Sequence, residues 1–166
     1  MSDGPGDPLP EWTYIPGGPW PHPNRAGRPP YHAGPIFEDD WRGSSTYLRG
    51  VELFEAGYYW ESHEAWEALW HAHGRAGPTA DVLKALIKLA AAGVKVRERQ
   101  PRGVATHARR AAELFRSVSG TSPRLLGLDL ATCAERADRI ADDPPDDPGP
   151  SGAAVVRVFD FELQPD

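Results

Sequence analysis

The side chains best suited to chemistry are concentrated between positions 61 and 70. Glu61, His63, Glu64, Glu67 and Trp70 fall within about three turns if this segment is helical. His63 and Glu67 are four residues apart, so they share one face of that helix. An imidazole and a carboxylate at this spacing can bind a divalent metal ion, transfer a proton or form a structural hydrogen bond. The segment therefore predicts a metal site, a ligand pocket or a structural network.

A metal site is the first hypothesis, with His63 and Glu67 as ligands. The string that begins at His63 is His-Glu-x-x-Glu and not the His-Glu-x-x-His of zinc proteases, so it supplies only two clear ligands. Glu64 would then serve as a general base. The further ligands would come from other imidazoles or carboxylates, among them His22, His32, Asp39, Asp40 and His71. Lysines on the following helix argue against a divalent cation, because an ammonium group competes for Glu67.

A pocket for a small polar or anionic ligand is the second hypothesis. Cationic side chains would contact the ligand, indole rings would form the walls, and His63 would donate hydrogen bonds or carry a proton. The cations are Lys84, Lys88, Lys95 and Arg102, and the rings are Trp60, Trp66 and Trp70. The chain has no nucleophile motif, phosphate loop or dinucleotide fingerprint that would name a reaction. The sequence thus leaves open whether the protein is an enzyme.

A structural network is the third hypothesis, and the sequence favours it. Here Glu67, His63 and Lys88 form hydrogen bonds that fix the pairing of two helices, and the tryptophans belong to the core. The protein would then be a helical interaction module, either a homo-oligomer or one that binds a protein partner through an exposed segment.

The spacing of apolar residues predicts an all-α domain of about five helices in a compact antiparallel arrangement. Ser44 or Ser45 caps the first helix and Gly57 ends it. The second helix holds the candidate site and turns Glu61, Glu64 and Ala68 away from its apolar face. The third helix is capped by Thr79 or Asp81. The fourth begins at Pro101 and the fifth near Asp129.

Proline and glycine divide the chain into three parts. Residues 1–43 are rich in proline and aromatic residues, so we expect an extended arm that packs on the helices, with His22 held between two prolines as a further candidate ligand. Residues 44–141 are the helical domain. Residues 142–166 are an acidic linker followed by a short strand-like tail, in which Val155 to Leu163 are β-branched and aromatic.

Composition limits the class of protein. Cys133 is the only cysteine, which excludes an intramolecular disulfide and a cysteine-based metal framework. The formal net charge of -6 argues against nucleic acid as the main partner. The first residues lack the pattern of a signal peptide and the apolar runs are too short to span a membrane. We therefore expect a cytoplasmic protein that is not bound to a membrane.

The chain resembles, over roughly residues 47–130, the domain-of-unknown-function family 309, small helical proteins of bacteria and archaea. The resembling residues are Gly57, Tyr59, Trp60, Glu61, His63, Glu64, Glu67, Leu69 and Trp70, then 86–91 and 100–104. The His-x-x-x-Glu-x-x-Trp motif of the family corresponds to His63, Glu67 and Trp70. The resemblance implies an all-helical fold and brings no activity, substrate or cofactor. Lys88 stands where family members often have glutamine, and Lys95 where many have histidine.

Overall fold

A computed structural model of the chain describes residues 4–149 and 154–166. Within them five α-helices account for the core, as the apolar spacing predicts. They are α1 (Ser45–Ala56), α2 (Tyr59–Ala72), α3 (Pro78–Arg97), α4 (Pro101–Ser119) and α5 (Leu130–Asp142), preceded by one 3-10 turn at Trp41–Gly43. The all-α prediction is confirmed. Residues 1–3 of the predicted arm and 150–153 of the linker and tail lie outside the described part.

The predicted end residues of α1, α4 and α5 are found in the structure. The Ser44 hydroxyl accepts the amide of Tyr47, and Gly57 ends α1 with a φ of 95°, a left-handed conformation that suits glycine. Asp129 accepts the amide of Thr132 at the start of α5. The predicted caps of α3 are wrong, because this helix begins at Pro78. Its cap residue is Gly77, and Pro78 at the first position has its φ preset for a helix.

Consecutive helices pack on one another, so that α3 lies between α2 and α4. Helix α3 is the most buried element, with thirteen buried residues from Ala80 to Arg97. A Cβ atom at Gly93 would lie only 2.5 Å from the Tyr59 ring, so the absence of a side chain lets α2 approach closely. This packing fixes the position of α2, which carries the candidate site.

A two-stranded antiparallel hairpin joins α4 to α5 and was not predicted. Its strands are β1 (Arg124–Leu125) and β2 (Leu128–Asp129). The Tyr47 hydroxyl donates to the Leu126 carbonyl at 2.7 Å, which ties the hairpin to α1. Two-residue strands have no hydrophobic alternation, so the sequence pattern could not reveal them.

The C-terminal tail packs on the helices and forms no strand ladder within residues 154–166. The Val158 amide donates to the Tyr59 hydroxyl at 2.9 Å, so this amide is taken by a side chain. Phe159 is buried and stacks on Phe54 with ring centroids 5.7 Å apart. The predicted lone strand is thus an irregular segment with bends at 154, 159 and 160, and Phe159 packs on Phe54 of α1 and Tyr59 of α2.

The acidic linker is held against the end of α3 by a buried ion pair. Arg97 Nε lies 2.9 Å from Asp147 Oδ1, and each side chain is 1% exposed. Arg97 also donates to the Ala154 carbonyl at 2.6 Å. None of the helices in the described residues has the length and apolar character needed to cross a membrane.

Candidate functional site

Glu61 is buried under the N-terminal arm and is only 3% exposed. Its carboxylate accepts hydrogen bonds from the Thr13 hydroxyl, from the Tyr14 amide at 3.1 Å and from Arg28 Nη1 at 3.2 Å. The sequence placed Glu61 on the side of α2 away from the apolar core. That placement holds for the helix alone, but the arm covers this face, so the prediction of an outward Glu61 is wrong.

Burial raises the pKa of the Glu61 carboxyl, and the hydrogen bonds from Thr13 and Tyr14, with the charge of Arg28, act in the opposite direction. Three donors converge on one carboxylate, which is the arrangement that a buried anion requires. Glu61 is therefore the polar anchor of the arm.

Two further side chains hold the arm through its backbone. The Arg49 guanidinium is almost fully buried and donates to the carbonyls of Asp7 and Pro8, each at 2.9 Å. The Tyr58 hydroxyl donates to the Pro10 carbonyl at 2.7 Å. The carbonyls of an extended, proline-rich chain have no helix or sheet partner. The Arg49 and Tyr58 side chains supply the hydrogen bonds that these carbonyls would otherwise lack.

Aromatic rings of the arm and of α2 form a cluster around Trp60. The Trp60 ring makes edge contacts with Tyr14, His22 and His63, with centroid distances of 4.7, 5.5 and 4.8 Å. His22, a secondary candidate from the sequence, thus lies beside the motif. Trp60 is the ring that contacts His63, whereas Trp70 lies beside His71 with ring centroids 5.2 Å apart.

His63, Glu67 and His71 form one row along α2, as their spacing predicts. His63 Nε2 is 3.4 Å from one Glu67 oxygen, and His71 Nε2 is 3.6 Å from the other. The second ring nitrogen of His63, Nδ1, lies 2.7 Å from the Trp60 carbonyl, which can only accept. Both nitrogens of His63 therefore face acceptors, which favours the protonated ring.

The pKa values of this pair move apart. Burial acts to lower the pKa of His63, but the hydrogen bonds to Glu67 and to the Trp60 carbonyl outweigh it and raise that pKa above 6.5. The hydrogen bond from His63 is the main reason that the pKa of Glu67 falls below 4.5. A protonated imidazole cannot ligate a metal, so a raised His63 pKa acts against metal binding at this pair.

The His63 and Glu67 pair has a pH window that can be measured. A raised imidazole pKa contributes stability below 6.5 that is lost as the pH rises through the folded value, and a lowered carboxyl pKa contributes stability above 4.5 that is lost as the pH falls. We expect His63→Gln to lower the free energy of unfolding by up to about 1 kcal/mol near pH 5.5 and by less at pH 9, since Glu67 is 44% exposed. Urea unfolding at both pH values measures this, with Glu67→Gln as the partner variant. An equal loss at both pH values would contradict it.

A shallow cleft of about 340 Å³ lies beside this row. Its lining is Pro30, Tyr31, Trp60, His63, Glu64, Glu67, Ala68 and His71. Burial raises the pKa of Glu64, while His63 and the nearby Trp60 indole lower it. The indole N–H of Trp60 is buried and forms no hydrogen bond with the described residues. Carboxylates and imidazoles thus border one opening, beside the Trp60 ring.

The lysines predicted for this site lie elsewhere. Lys88 forms no ion pair with Glu67; the charged groups that affect it are Lys84 and Arg110. Lys84 instead lies over the Trp70 ring, 4.1 Å from its centroid. Lys95 pairs with Glu98 at 3.1 Å. Arg102 is exposed at the start of α4. The predicted network of Glu67, His63 and Lys88 is therefore wrong in its lysine, because Lys88 faces α4.

A metal site has two neighbouring candidate ligands here. Residues 4–149 and 154–166 contain no group of three or more His, Cys, Asp or Glu side chains arranged to hold a metal ion. The metal hypothesis for His63 and Glu67 stays a prediction.

Residues 47–107 match the model of a protein family described as domain of unknown function, DUF309. This segment of the chain is therefore similar to the DUF309 family. Comparison with curated proteins and with solved structures finds no match. The matched range includes all of α2 and α3, so it contains His63, Glu67 and Trp70 of the motif.

The residues that the sequence missed are those of the arm, outside the matched DUF309 range. Thr13, Tyr14 and Arg28 supply the donors to Glu61, over sequence separations of 33 to 48 residues. No local periodicity joins positions so far apart. The only available signal was the aromatic content of residues 1–43, which predicts that the arm packs but not where.

Proposed function

We propose that this protein is a helical interaction module whose helices α1 and α2 form a receptor face for an extended segment. In this molecule the segment is the chain's own N-terminal arm. The observation that carries the proposal is the buried Glu61 carboxylate, which accepts three hydrogen bonds from the arm. A carboxylate is rarely buried unless it has partners, because hydrogen bonds or ion pairs must compensate for its loss of water.

The receptor face recognises both backbone and side chains. Arg49 and Tyr58 donate to carbonyls of the arm, which any extended segment offers. Glu61 adds selectivity, because it takes a hydroxyl, a backbone amide and a guanidinium. The segment that fits is extended, with a threonine or serine at the position of Thr13 and an arginine that can reach back as Arg28 does.

Arg28 is also held by the arm itself. Its guanidinium lies 3.8 Å from the centroid of the Trp12 ring and donates to the Trp12 carbonyl at 3.0 Å. The Trp12 ring stacks on Trp20 with centroids 5.3 Å apart. This stack presents the cation to Glu61 in a fixed position, which lowers the entropic cost of the ion pair.

Peptide binding tests the receptor face. A dye-labelled peptide of residues 7–28 would be added to the full chain carrying Thr13→Val and Arg28→Ala, in which the arm has lost two donors and the receptor is unchanged. We expect saturable binding by fluorescence anisotropy. Binding to the unaltered chain should be at least about tenfold weaker, because its own arm competes at a local concentration in the millimolar range.

The matched control combines the same arm changes with Glu61→Ala. If Glu61 is the receptor group, this triple variant binds the peptide about tenfold more weakly than the double variant. Equal binding by the two variants, or no binding by either, would overturn the proposal.

The cleft beside His63 supports a second candidate function, the binding of a small polar ligand. Its volume of about 340 Å³ is at the lower end of the range for small-molecule sites. Glu64, Glu67 and His71 would supply the polar contacts. A thermal-shift screen with Glu64→Gln as the comparison variant tests this candidate, and a ligand that stabilises both proteins equally would argue against the cleft.

A further inference from the structure

Cationic side chains line the seam between α3 and α4. All three lysines of the chain, Lys84, Lys88 and Lys95, lie on α3. Their spacing of four and seven residues places them within about 60° of one another around the helix. They form one row along α3.

Helix α4 adds a second row beside the first. A Cβ atom at Gly103 would lie 2.9 Å from the Lys95 side chain, which sets Lys95 against the beginning of α4. His107 and Arg110 follow Gly103 at helical spacing, so they share its face and run along the lysine row. The pKa shifts agree with this register. Lys88 and Lys95 act to lower the pKa of His107, and Arg110 acts to lower the pKa of Lys88.

The outer members of the two rows have partners. Lys95 pairs with Glu98 at 3.1 Å, and Arg110 pairs with Glu113 at 3.1 Å. Lys84 lies over the ring of Trp70. These contacts leave the middle of the seam, at Lys88 and His107, as the place where positive charge is not balanced.

Lys88 and His107 are both half-buried, and every charged group that affects them is a cation. Burial, Lys84 and Arg110 lower the pKa of Lys88, and burial, Lys88 and Lys95 lower the pKa of His107. Among the described residues neither Lys88 nor His107 forms an ion pair with a carboxylate. In a chain with a formal net charge of -6, this is an unusual accumulation of one sign.

Neighbouring cations repel one another, and an anion bound between them relieves that repulsion. We propose that the seam between α3 and α4 binds a small phosphate-bearing molecule, with Lys88 and His107 as the central contacts and Lys84 and Arg110 on either side. A phosphate group carries about two negative charges and several acceptor oxygens, which matches an ammonium, a guanidinium and an imidazole that gains a proton when the anion binds.

The acidic character of the rest of the chain favours a small ligand over a nucleic acid. A polynucleotide would extend beyond this seam and meet the negative charge of the remaining surface, whereas a compact anion contacts only the cationic rows. The proposal does not depend on the receptor face for the arm, because it concerns different residues and a different pair of helices.

Calorimetric titration of the full chain with inorganic pyrophosphate tests the proposal. We expect saturable binding that weakens as the salt concentration rises, and a loss of affinity of about tenfold or more in Lys88→Met. In proton NMR spectra pyrophosphate should raise the pKa of His107, since a bound anion favours the charged imidazole. His107→Gln should weaken binding as well.

Arg25→Met is the matched control, because it removes the same charge from an exposed position on the arm. It should bind pyrophosphate as the unaltered chain does. An equal loss of pyrophosphate affinity in Arg25→Met and Lys88→Met would show a non-specific effect of net charge and would overturn the proposed site. The absence of saturable binding, or binding of an oligonucleotide but not of pyrophosphate, would also overturn it.

Discussion

Replacing Asp147 by alanine is expected to lower the free energy of unfolding by about 3–5 kcal/mol, because it leaves a buried guanidinium without its carboxylate. Arg97 and Asp147 are each 1% exposed and lie 2.9 Å apart. Arg99 is a second cation near the same carboxylate, at 3.4 Å. In the alanine variant Arg97 and Arg99 would therefore lose the carboxylate that both of them lie beside. Urea unfolding followed by circular dichroism measures the loss.

Asp146→Ala is the control for this prediction, since Asp146 is the exposed neighbour of Asp147. We expect it to change the free energy of unfolding by no more than about 0.5 kcal/mol. A similar small effect from Asp147→Ala would show that the linker is not held by the ion pair and that Arg97 is solvated without it.

Replacing Glu61 by alanine is expected to release the arm at a cost of about 2–3 kcal/mol, since three donors lose one charged acceptor. Thr13 and the Tyr14 amide are covered by the packing of the arm, so they can regain partners only if the arm moves into water. Arg28 is 25% exposed and can be solvated more easily. We expect rapid cleavage of residues 7–28 by a protease that leaves the helical part intact.

Glu64→Ala is the control for Glu61→Ala, because it removes the same charge from the same helix. Glu64 accepts none of the hydrogen bonds by which Thr13, Tyr14 and Arg28 hold the arm. We expect the arm of this variant to resist the protease as in the unaltered chain. Cleavage at the same rate in both variants would mean that overall charge, and not the Glu61 anchor, controls the arm.

The helices were predictable because their signals are local. The residues that begin or end a helix act within their own turn, as at Ser44, Gly57, Pro101 and Asp129. The spacing of apolar residues along a helix is likewise independent of distant residues. The one wrong cap, at α3, is also instructive. Thr79 and Asp81 are good caps in isolation, but Pro78 at the first position began the helix earlier.

The candidate site was predicted only as far as it lies within one helix. The row of His63, Glu67 and His71 follows from spacing alone and is present. The position of Trp60 at His63 and the arm over Glu61 depend on contacts between distant parts of the chain. A helical wheel distinguishes inward from outward residues, but a second layer can bury an outward face, and here the arm does so.

The tail shows the same limit. Its β-branched and aromatic residues indicate a strand, whereas residues 154–166 form an irregular segment with bends at 154, 159 and 160. These residues contact side chains of α1 and α2 and not another strand. The Val158 amide donates to the Tyr59 hydroxyl, and Phe159 stacks on Phe54. The β-propensity of these residues depends on the neighbours they pack against, so it does not show which part of the chain the tail will contact.

Hydrogen exchange at the Tyr14 amide tests the central claim most directly, because this amide donates to Glu61 at 3.1 Å. If α2 holds the arm through Glu61, the amide exchanges slowly in the unaltered chain and on the order of 100-fold faster in Glu61→Ala, while the amides of α3 and α4 are unchanged. Exchange of the Tyr14 amide at the rate of an unfolded chain in the unaltered protein would contradict the receptor face.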